Sequence, residues 1–212
     1  TAGIATRKGS RLLADWVPSE TAPAVQRLLD AGAVMVGKNT TPENGWKASS
    51  TSPLHGVTRN PWNPARTTGG SSSGSAAAVA AGTVPIALGS DGGGSLRIPA
   101  AFCGIFSLKA TLGRVPTWPL STSEHLSHAG PMTRTVHDSA LALDALKGPD
   151  VRDPASLPAE DVSYAERVSR DLPPLRCALA PNLFGHPVDP AIAEVVAQAF
   201  AQARRTAGVT EV

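Results

Sequence analysis

Two short segments rich in glycine and serine place the tightest constraint on how this chain folds. The first is GGSSSGS at 69–75, which runs directly into an alanine-rich stretch at 76–81. The second is DGGGS at 91–95, where three consecutive glycines follow an apolar run. Glycine loses more backbone entropy on folding than any other residue, so a glycine run inside a folded region marks backbone that approaches another group closely. Both segments are therefore candidate parts of a functional site.

Three other structures were considered for the first segment: a flexible linker, a phosphate-binding loop and a nucleophile elbow. The sequence disfavours each of them. A flexible Gly/Ser linker is disfavoured because a helix pattern follows at once. A phosphate-binding P-loop needs Gly-Lys-Ser/Thr at its end, and this segment contains no lysine. A GxSxG nucleophile elbow matches residues 70–74 with Ser72 at its centre. That elbow requires a buried strand just before it, and the polar stretch 63–68 does not predict one.

The second segment is either a glycine-rich turn or a loop that stabilises an anion. Ser95 and the start of a helix pattern follow the glycines. The N–H groups of Gly92, Gly93 and Gly94 could then converge on a developing negative charge, which is the arrangement of an oxyanion hole. The spacing by itself leaves both alternatives open.

With their flanks, these segments closely resemble the amidase-signature family. The run 69–116, from GGSSSGS to LGRVP, carries most of the similarity, which continues in GAVMVGKNTTPENGWK (32–47), SPLHGVTRNPWNPART (52–67) and HAGPMTRTVHDSALALDAL (128–146). The resemblance covers nearly the whole chain. It implies an α/β fold, with a mixed, twisted β-sheet flanked by helices on both faces and incomplete in this chain. It also implies an enzyme that cleaves carboxamides to a carboxylic acid and ammonia or an amine through an acyl-serine intermediate.

The resemblance assigns roles position by position. Ser95 matches the family's acylated nucleophile, and Ser71, 24 residues earlier, matches the bridging serine whose preceding peptide bond is cis. The backbone N–H groups of Gly92, Gly93, Gly94 and Ser95 match the oxyanion hole. Three further positions match residues that support the loop: Ser72, Asp91 and Arg97.

The family's catalytic lysine has no counterpart among these residues. The resemblance implies that it lies a few residues ahead of Thr1, outside this sequence. None of the five lysines present matches the base: Lys8, Lys38, Lys47, Lys109 and Lys147. The chain is then either part of a longer, active enzyme or a non-catalytic remnant. The missing initiator Met and an ending inside a strand pattern favour the first alternative, so the isolated chain is predicted to be inactive.

Two smaller departures from the family concern single residues. Ser73 replaces a glycine of the GGSSGG pattern, and Ala110 replaces the proline of LKPT. If Ser73 needs a positive φ, the loop carries about 1 kcal/mol of strain.

Composition excludes several classes of function. The net charge is +2 and the basic residues are scattered, which argues against nucleic-acid binding. The five histidines have neither metal-ligand spacing nor the setting of a Ser-His-Asp triad, so no metal and no cofactor are predicted. The longest apolar stretch, 76–88, is too short to span a bilayer. Two cysteines in apolar runs, Cys103 and Cys177, indicate free thiols in a reducing cytoplasm.

The predicted partner is a small-molecule amide, and homo-oligomerisation is left open. The alternative function is that of an amidotransferase component, which modifies misacylated aminoacyl-tRNA with the same catalytic core. A conventional α/β-hydrolase that uses Ser72 is a more distant alternative.

Sequence patterns predict one partial domain over 1–212, with a catalytic core at 32–146, a surface excursion at 149–174 and the start of a C-terminal half at 176–212. Helices are expected at 19–29, at 76–81, from the Thr135 cap to Gly148, and from Pro190 to a stop at Gly208. A helical turn interrupted by Pro99 is expected within 96–103. Strands are expected at 33–36, 84–88, 105–108, 176–180 and 209–212.

Overall fold

The computed structural model describes residues 1–121, 125–171, 173–182, 185–206 and 209–211. Contacts divide the chain into two compact units, Thr1–Ser169 and Arg170–Val212. Both glycine–serine segments lie in the first unit. The helices of that unit are α1 (Pro23–Asp30), α2 (Ser73–Ala80), α3 (Arg97–Cys103), α4 (Val136–Leu146) and α5 (Tyr164–Arg167), with 3-10 turns at Arg11–Leu13 and Glu43–Gly45. Its strands are β1 (Thr51–Ser52), β2 (Gly56–Val57), β3 (Arg59–Asn60), β4 (Asn63–Thr67), β5 (Ile86–Asp91), β6 (Phe106–Ser107) and β7 (His128–Thr133).

A three-stranded antiparallel sheet in the order β5–β7–β6 forms the centre of the first unit. Strand β5 pairs with β7 along its whole length, from Ile86 opposite Thr133 to Asp91 opposite His128. Two small antiparallel ladders, β1–β2 and β3–β4, precede it in the chain. Strand β5 ends at Asp91, so the second glycine–serine segment begins at the end of an edge strand of this sheet.

Helices cover both faces of this sheet, because successive side chains of a strand point to opposite sides. On one face, Leu88 packs against a cluster that includes Leu143 and Leu146 of α4 and Ala24 of α1. On the other face, Gly89 lies against Leu96 and the buried cluster formed with α2 and α3. Each fully buried leucine contributes about 1.5–3 kcal/mol relative to an exposed one. The prediction of helices on both faces of a sheet is confirmed.

Every predicted helix and strand has a counterpart in the structure except the strand at 33–36, whereas the sequence patterns predicted none of β1, β2, β3, β4, β7 and α5. Residues 33–36 form no strand, and Val34 and Val36 are 86% and 74% exposed. An apolar run becomes a strand only beside a partner strand, and none pairs with this run within the described residues. Pro99 does not interrupt α3, because it lies in the first turn, where its missing N–H is not needed. The stretch 63–68 contains strand β4 after all, but every residue of that strand is exposed.

The second unit consists of a parallel strand pair and one long helix. β8 (Arg176–Cys177) pairs with β9 (Thr210–Glu211), and α6 spans Pro190–Thr206. The Asp189 side chain accepts a hydrogen bond from Ala191 N–H at 2.9 Å, as its position before Pro190 predicts. The predicted helix stop at Gly208 and the last residue, Val212, lie outside the described residues. Among the helices described in either unit, none combines the length and apolar character needed to cross a bilayer.

Asp144 of α4 organises the loop that leads into α5. One carboxylate oxygen accepts hydrogen bonds from Lys147 Nζ and Tyr164 N–H, both at 2.8 Å. The other accepts from Ser163 Oγ at 3.1 Å and Ala165 N–H at 2.9 Å. Partial burial by itself would raise the pKa of Asp144, but these donors stabilise the carboxylate and lower the pKa to about 2.

Replacing Asp144 with Asn should lower the free energy of unfolding by about 1–3 kcal/mol at pH 7, because several donors lose a charged acceptor. The native pKa is depressed, so this contribution is complete above the unfolded value near 3.9 and is lost as pH falls toward 2. Urea unfolding should show a constant difference between pH 7 and 5 that shrinks below pH 4. The exposed Asp15→Asn is the matched control, and equal effects of the two variants would contradict the assignment.

Candidate active site

Ser71 lies in a buried crossing between β4 and α2. A Cβ on Gly70 would lie 2.1 Å from Ser49 O, so only glycine fits there. The Gly70–Ser71 peptide bond is cis, the geometry that the resemblance implied. Ser71 is 5% exposed, and its carbonyl accepts a hydrogen bond from Thr41 Oγ1 at 2.9 Å. The turn Glu43–Gly45 covers the hydroxyl on one side, since a Cβ on Gly45 would lie 3.3 Å from Ser71 Oγ.

Ser72 is a structural link between α2 and β5. Its Oγ accepts a hydrogen bond from Ser90 N–H at 3.1 Å and donates to Ser90 O at 3.3 Å. Ser75 Oγ adds a bond to Leu88 O at 2.7 Å. Because the Ser72 hydroxyl is engaged twice by backbone, its setting favours the supporting role and not that of a nucleophile. The exposed strand β4 also differs from the buried strand of a nucleophile elbow.

Ser73 carries no strain of the kind expected from its replacement of a glycine. It lies in the first turn of α2, and its φ is not positive. Its hydroxyl is fully buried and lies 3.4 Å from Ser71 O, to which it donates a hydrogen bond. The serine at this position therefore supports the crossing instead of distorting it.

Asp91 holds the second segment in shape. Its carboxylate is 1% exposed and accepts hydrogen bonds from Gly94 N–H at 2.7 Å and Leu96 N–H at 3.2 Å. Arg97 adds two parallel bonds, from Nε at 2.9 Å and from a terminal nitrogen at 3.0 Å. Burial by itself would raise the pKa of Asp91, but Arg97 and the backbone donors outweigh it and lower the pKa to about 2. The loop is thus closed around a buried negative charge.

The same bonds decide which N–H groups of the loop are available to a ligand. Gly94 N–H donates to Asp91, and its φ of 116° is one that other residues rarely adopt. By contrast, the N–H groups of Gly92, Gly93 and Ser95 have no acceptor among the described residues. An oxyanion hole built from this loop would therefore use those three donors, with Gly94 holding the turn.

The two glycine–serine segments are in direct contact. Ser72 N–H donates to the Ser95 carbonyl at 3.3 Å, which joins the start of α2 to the residue that follows the glycines. Ser71 and Ser95 are thus on adjoining stretches of backbone, the former buried and the latter half-buried. The structure brings together all eight residues that the sequence singled out: Ser71, Ser72, Asp91, Gly92, Gly93, Gly94, Ser95 and Arg97.

A groove of about 970 Å³ opens beside Ser71 and Ser72, and residues 91–95 of the glycine loop do not line it. It is lined by Ser71 and Ser72, by the apolar side chains of 33–36 and by strand β5. Lys38 also lines it, although its Nζ donates to Ile4 O at 3.1 Å and to Thr6 Oγ1. Partial burial lowers the pKa of Lys38. Sequence reasoning set Lys38 aside and missed this location, because no spacing rule links residue 38 to residue 71.

The exposed histidines and the two cysteines take no part in the hydrogen bonds described above. The exposed histidines are His55, His125, His137 and His186. Within the described ranges, no group of three His, Cys, Asp or Glu side chains is placed to hold a metal ion. Burial raises the pKa of the Cys103 thiol, and Cys103 and Cys177 are both free.

The Asp91 network can be tested in the isolated chain. Asp91→Ala should leave the Gly94 and Leu96 N–H groups without an acceptor, so hydrogen exchange of these two amides should accelerate at least about tenfold. Arg97→Gln should have a smaller effect on exchange. The Arg97 side chain is 58% exposed, so solvent screens its interaction with Asp91, and the bonds from the backbone N–H groups to Asp91 remain. Exchange of the Gly94 and Leu96 amides that is as slow in Asp91→Ala as in the parent chain would contradict this role.

Comparison with known proteins places this geometry in a family. The Amidase family model matches residues 1–212. The chain is 44% identical over 206 residues to a glutamyl-tRNA(Gln) amidotransferase subunit of Picosynechococcus sp., covering 95% of this chain. It is 44% identical over 201 residues to an acylamidase of Rhodococcus erythropolis, covering 94% of this chain. Each match spans 42% of the relative's own length.

A solved structure agrees over the full chain. The structure of 6-aminohexanoate cyclic dimer hydrolase with substrate matches with a TM-score of 0.89 and 33% identity, covering 100% of this chain and 46% of that one. The family model, the relatives and the shared fold together show that the chain belongs to the amidase-signature family and spans less than half the length of the members it matches.

Proposed function

We propose that residues 1–212 form the central part of an amide hydrolase in which Ser95 is the nucleophile. The observation that carries this proposal is the set of three N–H groups on Gly92, Gly93 and Ser95, which have no acceptor among the described residues and belong to the short stretch 92–95 that ends in the proposed nucleophile. The Asp91 network holds the loop that carries these donors through its bonds to Gly94 and Leu96. A preorganised donor of this kind contributes about 2.7–4 kcal/mol to transition-state stabilisation.

In the proposed reaction, Ser95 Oγ attacks the carbonyl carbon of the amide. The carbonyl oxygen becomes negatively charged and accepts hydrogen bonds from the loop N–H groups. The Ser95 proton passes through the Ser71 hydroxyl to a base, and the leaving ammonia or amine takes a proton back along the same route. Water then attacks the acyl-serine and releases the carboxylic acid.

We assign the base to a lysine outside residues 1–212. A lysine acts as a base only when neutral, so it must be desolvated enough to bring its pKa down from about 10.4 toward 7. The groove lined by Ser71 supports the assignment, because it leaves room beside this residue for another segment of chain. Lys38 is the alternative within the chain, but its Nζ is turned to Ile4 O and Thr6.

The isolated chain should therefore show no turnover of amides. The remaining parts of an enzyme can be supplied by a chimera. In this chimera, residues 1–212 replace the matching part of the Rhodococcus erythropolis acylamidase. This chimera should hydrolyse an acylanilide and react with a fluorophosphonate probe. Robust turnover by residues 1–212 alone, dependent on Ser95, would refute the assignment of the base.

Substitutions in the chimera test the individual roles. Ser95→Ala should abolish labelling, and Ser71→Ala should lower the labelling rate at least about 100-fold because the proton relay is broken. The exposed Ser19→Ala serves as the control and should leave the rate unchanged. Unaltered labelling of Ser95→Ala would exclude Ser95 as the nucleophile.

Lys38→Met separates the two candidate bases. If the base lies outside residues 1–212, this variant of the chimera should keep its labelling rate within about threefold. A loss of 100-fold or more, with an unchanged melting temperature, would instead identify Lys38 as the base.

The second candidate function is that of an amidotransferase component that modifies misacylated aminoacyl-tRNA. It is supported by relatives that are named as subunits of glutamyl-tRNA(Gln) amidotransferase. Such a protein would use the same serine site within a complex. Copurification with partner proteins, together with activity that requires tRNA, would favour this candidate. Amide hydrolysis without tRNA would favour the amide hydrolase. For that function we propose a small-molecule amide as the substrate and the cytoplasm as the location. If the longer protein that contains residues 1–212 carries no catalytic base, it would be the non-catalytic remnant considered above.

A further inference from the structure

His128 touches the glycine loop from the neighbouring strand. It is the first residue of β7 and pairs with Asp91, the last residue of β5. Its ring Nδ1 lies 3.1 Å from Asp91 O and 2.7 Å from Leu126 O. Both oxygens are backbone carbonyls and can only accept, so Nδ1 carries a hydrogen and donates to them. The tautomer of the neutral ring is thereby fixed.

The carbonyl held by His128 belongs to the same peptide plane as Gly92 N–H. The Asp91–Gly92 bond is trans, so its C=O and N–H point in opposite directions. Anchoring the carbonyl on His128 therefore sets the direction of the Gly92 N–H. This control matters here because strand pairing ends at Asp91 and glycine offers little resistance to rotation of the peptide plane.

The second acceptor reinforces this anchor. Leu126 O lies 3.8 Å from the position that a Cβ on Gly92 would occupy, so its segment passes directly beside the loop. One ring hydrogen thus ties together the end of β5, the Leu126 carbonyl and the start of β7. The carboxylate of Asp91 meanwhile fixes Gly94, so both ends of the glycine run are held by different groups of Asp91.

We propose that His128 is a positioning residue whose Nδ1–H orients the Asp91–Gly92 peptide and presents Gly92 N–H to the oxyanion. This inference rests on the proposed function for its catalytic consequence, although the structural part stands without it. His128 acts through the backbone and need not touch the substrate. Its loss should therefore weaken binding of the transition state more than binding of the amide itself.

Two substitutions separate the effect of the Nδ1–H donor of His128 from the effect of the size of its ring. The side-chain nitrogen of Asn is attached at Cγ, as Nδ1 is, so His128→Asn can keep the bond to Asp91 O. His128→Gln places its nitrogen at the position of Nε2 and loses that bond. The exposed His55→Gln is the matched control for exchanging a histidine.

The first measurement uses residues 1–212 labelled with ¹⁵N. The parent chain should show His128 protonated at Nδ1, and the Gly92 amide signal should move in His128→Gln but not in His128→Asn or His55→Gln. An unchanged Gly92 signal in His128→Gln would overturn the proposal. So would equal changes in the Asn and Gln variants accompanied by a lower melting temperature, because they would indicate a merely structural role.

The second measurement is steady-state kinetics in the acylamidase chimera. His128→Gln should lower kcat about 10–100-fold with KM unchanged within about twofold, and His128→Asn should keep kcat within about threefold. Equal kcat values for the parent and His128→Gln would overturn the proposal. If the Gly92 signal moves while the chimera shows no Ser95 labelling, the proposed function fails and the positioning role is retained.

Discussion

The buried carboxylate of Asp91 is the interaction on which the rest of the site depends. Three consecutive glycines have many conformations to lose, so a charged acceptor that binds the end of the loop stabilises the observed conformation. Gly94 and Leu96 bind this acceptor directly, and Arg97 balances its charge from the protein surface. A buried carboxylate without these partners would be costly, so the loop and the charge stabilise each other.

The site is assembled from two chain segments that meet along strand β5. Ser72 and Ser75 at the start of α2 bind backbone groups of β5, while β5 itself ends in the glycine loop. Ser71 is thereby brought next to the loop that carries Ser95. Because each of these links has a backbone group on at least one side, the fold sets the relative position of the two backbone stretches that carry Ser71 and Ser95.

The chain belongs to the amidase-signature family, but membership alone does not make residues 1–212 an active enzyme. The family is shown by a match over all 212 residues, whereas the chain spans only 42–46% of the members compared with it. What residues 1–212 contain is the loop, both serines and a groove open beside Ser71. In the proposed function these residues supply the acyl-accepting serine, and the base lies outside them.

Elements with local signals could be predicted from the amino-acid sequence alone. The Thr135 cap and the helix that follows it were predicted from neighbouring residues, whereas the roles proposed for the two glycine–serine segments come from the resemblance to the family. The tertiary structure was needed to show that the Gly94 N–H is engaged, that residues 33–36 stay unpaired, and that His128 Nδ1 lies within hydrogen-bond distance of the Asp91 carbonyl. Those outcomes depend on groups far apart in sequence or on the presence of a partner strand, and a local pattern carries no information about either.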